Sequence, residues 1–173
     1  MNGQRAALIL LAAFALLVAQ SAISVVVPMH PFVPHLLLPI VLVLAVSQDV
    51  PTTVGAGFAF VLGYMLDLFS GNRLGLQAFL LVATHLISRG AGLRLVLRGV
   101  GSQVAATFVV MLLIGGASLT LRAVFGHDAP FAVGGYELIL RAIVPPALAT
   151  ALVAPFVVGL VTRVLPVREA KAP

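Results

Sequence analysis

Long apolar runs, interrupted only by short segments that gather nearly all the charge, leave this chain few ways to fold. Hydrophobic residues make up 61% of its 173 positions and charged residues 9%, against about 25% charged in ordinary soluble domains. A water-soluble globule cannot hide that much apolar surface, so the pattern predicts an integral membrane protein. No polar linker or low-complexity tract divides it, which predicts a single transmembrane domain over residues 1–173, an all-α bundle of six helices. The chain has no cysteine, so disulfides and thiolate metal sites are excluded. Its net charge of +5 comes from nine arginines and one lysine against five acids. Bases this few and this scattered point to membrane orientation and lipid headgroup contact, with no role in nucleic-acid binding.

The spans are expected at about residues 6–27, 33–47, 52–69, 74–88, 100–121 and 146–164, with interfacial helices at about 90–99 and 136–144. Ala6 to Val27 is an apolar run of 22 residues, about 33 Å as a helix and enough to cross a bilayer. A cleaved signal peptide is the rival reading, with Ala19 and Ser21 as small residues before a cut, but the run is long for that role and further spans follow. Gln20 and Ser24 lie one turn apart near its end and should face other helices. The second span has 15 residues and contains Pro39. At roughly 22 Å it is short for a bilayer core of about 30 Å, so neighbours must shelter it or the bilayer must thin around it.

The third span carries Gly55, Ala59 and Gly63 at four-residue spacing, one smooth stripe along which a second backbone can approach closely. The stripe serves either helix packing within the bundle or the docking of a separate protein. In the fourth span, Gln77, Thr84 and Ser88 share a face with His85 at its margin. Polar groups in lipid are costly unless paired, so this face should point inward, with His85 as a hydrogen-bonded structural residue rather than a proton relay. Pro145-Pro146 divides the last apolar region into a short surface helix and a sixth span, itself kinked near Pro155.

Between the third and fourth spans, Asp67, Ser70, Asn72 and Arg73 put an acid, a turn and a base within seven residues. A carboxylate at the end of an apolar helix needs donors, because the last turn exposes carbonyls and carries partial negative charge. Arg73, the Ser70 hydroxyl, the Asn72 side chain and the free amides opening the next helix are all within reach. The stretch therefore reads as a structural polar turn, either locked in this way or plainly solvated with Ser70 or Asn72 as N-cap. Arg89, Arg94 and Arg98 form the one basic cluster, suited to anionic headgroups. His30 and His35 sit in a proline-rich connection with no third ligand near, so they read as solvated loop residues and no metal is expected.

Six spans place both termini on one side, with Arg5, Arg89, Arg94, Arg98, Arg163, Arg168 and Lys171. The other side has Arg73, Arg122 and Arg141. That asymmetry makes the termini cytoplasmic and turns the Asp67 hairpin outward. No HExxH, GxSxG or phosphate-cradling glycine loop occurs, and the five acids lie in different segments. No enzyme and no cofactor is expected, and an interaction role is favoured.

The segment Gly63-Tyr64-Met65-Leu66-Asp67-Leu68-Phe69-Ser70-Gly71, followed by Leu74-Gly75-Leu76-Gln77-Ala78, resembles the bacterial rod shape-determining protein MreD family. Members show a Gly-x-x-x-Asp helix end, a Ser/Gly turn and a Leu-Gly helix opening. The likeness is specific from Pro34 to Ala78, and general in chain size and span count elsewhere. Asn72-Arg73 departs from it, standing where the family has a more apolar or proline-containing turn. The resemblance implies a non-enzymatic scaffold of the bacterial inner (cytoplasmic) membrane, within the elongation (rod) complex that organises peptidoglycan synthesis and cell shape. Implied partners are MreC, RodA with its transpeptidase partner, and MreB, besides membrane lipid. It also implies a fold similar to the S component of energy-coupling-factor transporters. From that comes the alternative, the substrate-binding S component of a vitamin-type transporter, which would need a pocket of convergent polar and aromatic groups.

Overall fold

The shortest helix occupies the middle. In the computed structural model all ten residues of α2 (Leu37–Val46) are buried. The structure describes residues 3–26, 34–70, 74–91, 99–125 and 135–164. Around α2 lie α1 (Gly3–Val26), α3 (Thr52–Ser70), α4 (Leu76–Gly90), α5 (Val100–Phe125) and α6 (Gly135–Val164), each touching it. The sequence Leu-Leu-Pro-Ile-Val-Leu-Val-Leu-Ala-Val has no polar face, and a helix apolar all round belongs inside. About 15 Å long, α2 could not cross a bilayer alone. Leu17 of α1, Leu62 of α3, Leu81 of α4, Met111 of α5 and Val157 of α6 join Ile40, Val41 and Leu44 in one core. Among helices in lipid, such contacts stabilise through close packing rather than through release of water.

Among the described residues three segments are long and apolar enough to cross a membrane: Thr52–Phe69, Val100–Leu121 and Leu140–Arg163. Ala7–Ala22 and Leu37–Val46 are shorter apolar helices. The most extensive pairings are α3 with α4 and α5 with α6, while α4 and α5 meet much less.

One expectation is overturned. The surface helix at 136–144 and the span at 146–164 form one helix, which runs through Pro145, Pro146 and Pro155. Proline lacks the N–H but its φ suits a helix, and in apolar surroundings a nearby hydroxyl can satisfy a disturbed carbonyl. Thr150, further along, makes an ordinary back-bond of its own, donating from Oγ1 to the Pro146 carbonyl four residues earlier at 2.6 Å. Of the interfacial helix expected at 90–99, residues 92–98 lie outside the described residues.

Candidate functional site

Asp67 reaches across from α3 to the start of α4. It is 1% exposed. Its Oδ2 accepts from the Gly75 N–H at 2.9 Å and the Ala78 N–H at 3.3 Å. The Gln77 N–H approaches both oxygens, at 3.1 Å and 3.2 Å. The opening amides of a helix have no partner within it and carry partial positive charge, so a carboxylate there meets both needs at once. Gly75 precedes α4 with φ 95°, a backbone angle that an L side chain would strain. Of the other residues assigned to this turn, Asn72 and Arg73 lie outside the described residues, as does the side chain of Ser70. Among the described residues the partners of Asp67 are therefore backbone amides.

Gly63, one turn before Asp67, explains the short reach. A Cβ there would fall on the Ala78 backbone and 2.7 Å from the Gln77 carbonyl oxygen. Further down the stripe Ala59 is fully buried, and a Cβ on Gly55 would sit 2.6 Å from Nε2 of His85. Gly55, Ala59 and Gly63 are thus covered by α3–α4 packing, which leaves them no surface for a separate protein.

Other polar groups also join one helix to another. The Leu36 N–H donates to Oε1 of Gln20, and the His35 N–H to Oγ1 of Thr150, both at 2.9 Å. These bonds fasten the start of α2 to α1 and α6. Arg89 donates from Nη1 to the carbonyls of Ser47 at 3.3 Å and Val50 at 3.0 Å. It was expected among the headgroup contacts; instead it clasps the turn between α2 and α3, because carbonyls left free at a helix end attract a guanidinium. Arg94 and Arg98 lie outside the described residues.

The inward face of α4 buries Gln77, Thr84, His85 and Ser88. The His85 ring is fully buried, with its nitrogens near the backbone carbonyls of Val41 and Thr52 but short of good hydrogen-bond geometry. The Ser47 hydroxyl has no hydrogen-bond partner among the described residues.

Beside the Asp67 elbow, a cavity of about 240 Å³ opens between α4, α5 and α6. Its polar lining comes from His35, Gln77 and Ser118, its apolar lining from residues such as Met111, Ile114 and Ile143. His35 is therefore half-buried against this cavity rather than solvated. Sequence reasoning missed Thr150 and Ser118 as well. The available signal was a hydroxyl residue within an apolar run, since a polar group in lipid needs a purpose. Among the described residues no group of three or more metal-ligating side chains occurs.

A family model described as rod shape-determining protein MreD matches residues 1–164 of the 173. No curated protein and no solved structure matches the chain.

Proposed function

Because the chain belongs to the MreD family of rod shape-determining proteins, we propose that it is a non-enzymatic scaffold subunit of the rod complex. In this reading it crosses the bacterial inner membrane six times with both termini cytoplasmic, and helps organise peptidoglycan synthesis with MreC, RodA, its transpeptidase partner and MreB. The observation that carries the reading is the use of its buried polar groups. Asp67, Gln20, Thr150 and Arg89 each bond one part of the bundle to another, as suits a rigid body whose task is to hold partners in place. With the glycine stripe covered, adhesion falls to the lipid-facing sides of the helices, and the Asp67 elbow supports it from within.

Crosslinked pull-down from native membranes tests this. Recovery of cell-wall synthases is expected, with reduced recovery from Asp67→Leu or a bulky residue at position 63. A second reading, the substrate-binding S component of a vitamin-type transporter, is favoured only by the cavity at the elbow end. Recovery of an ATPase-linked transporter module in place of the synthases would establish that reading and overturn the first.

A further inference from the structure

We propose that the cavity beside the elbow binds the uncharged, hydroxyl-bearing head of a membrane amphiphile, whose tail lies outside along the bundle. The proposal concerns a ligand and is independent of the scaffold role.

Chemistry selects the head. The imidazole of His35, the carboxamide of Gln77 and the hydroxyl of Ser118 are each able to donate and to accept. Among the described residues no acid, lysine or arginine lines the cavity. The amides that would ordinarily draw an anion to the start of α4 are already occupied by Asp67, whose carboxylate lies directly behind Gln77. An anionic head would meet that charge at close range in a medium that screens poorly. A neutral hydroxyl would not.

Size and shape select the mode of entry. At about 240 Å³ the space lies below the ~300–1,000 Å³ of pockets that enclose a drug-sized ligand, so it takes part of a molecule. Its floor is closed. The recess beneath, lined by Leu37, Leu38, Leu66 and Leu81, offers about 10 Å³, room for no more than one water. Any longer body must leave through the mouth, where Ala142 is exposed and Leu119 and Ile143 line the wall. The way out therefore runs along an apolar helix side, where a tail is at home and a water-borne solute is not.

Native mass spectrometry of the full chain, delipidated in detergent and supplied with monoolein, glycerol or oleate, tests the site. One monoolein should be retained per chain. Ser118→Phe, which fills the cavity, should abolish retention. Ser118→Ala and Gln77→Met should each weaken it by about tenfold, the loss of one to two hydrogen bonds, and they decide the matter if the phenylalanine variant does not fold. Oleate retained as well as monoolein would overturn the neutral head. Glycerol binding as tightly as monoolein would overturn the membrane source, and equal retention in wild type and all variants would overturn the site itself. None of these outcomes bears on which proteins the chain recovers in a pull-down.

Discussion

The two ends of the α3 stripe meet α4 in different ways. At Gly63 the neighbour is main chain: backbone lies on backbone, and one turn later Asp67 is near enough to bond three N–H groups. At Gly55, eight residues earlier, the neighbour is the His85 ring, whose nitrogens lie near the Val41 and Thr52 carbonyls without good hydrogen-bond geometry. The first end is a polar lock that close approach makes possible. The second is mainly packing, with a polar ring that meets carbonyls only in poor geometry. Identical spacing of small residues therefore says that two helices touch, and the residue one turn further on decides whether the contact carries directional bonds.

Removing the carboxylate should break this contrast most visibly. Asp67→Leu leaves the Gly75, Gln77 and Ala78 amides without their acceptor, and should cost about 3–5 kcal/mol in thermal unfolding of the purified chain. Asp67→Asn keeps one acceptor oxygen and should cost about 1–2 kcal/mol. Equal costs for Asp67→Leu and for His85→Leu would erase the distinction between the two ends.

A smaller effect sharpens it. Gly63→Ala and Gly55→Ala should each cost about 1–3 kcal/mol through overpacking. Their couplings should differ, however. A double-mutant cycle of Gly63→Ala with Asp67→Asn should show an interaction of about 1 kcal/mol, because the same separation of helices breaks the Asp67 bonds. Gly55→Ala should add to Asp67→Asn without coupling, and should instead be relieved by His85→Ala, which vacates the space. The smallest effect is expected from His85→Met. It replaces a ring whose nitrogens are poorly partnered by an apolar side chain, so stability should stay within about 1 kcal/mol of wild type or rise.

Much of this architecture was legible in the residues. Among the described residues the six long apolar runs fall within helices α1 to α6, and α2 needed shelter because it was too short to manage alone. Asp67 stood out because a carboxylate at an apolar helix end must find donors, and the amides opening α4 were among those expected. Prolines were the weaker guide: Pro145 and Pro146 break a helix in water, where the freed carbonyls have solvent to turn to, and α6 runs straight past them. His35 looked like a loop residue because no local pattern records that α5 and α6 close over it. Arg89 looked like a headgroup contact for the same reason, since the carbonyls of Ser47 and Val50 are 42 and 39 residues away in sequence. Distant joins of this kind have no signature in spacing.

The bond from His35 to Thr150 spans 115 residues of chain. Translation at roughly 5–20 residues per second would take on the order of 6 to 23 seconds to deliver the second partner after the first. Throughout that interval the stub at the centre lacks the part of its covering that α6 supplies and the acceptor for one of its leading amides. It must wait in the insertion machinery or at the bilayer edge until α6 arrives. A nascent chain stalled before residue 150 would therefore hold an unseated core, a natural target for membrane proteolysis.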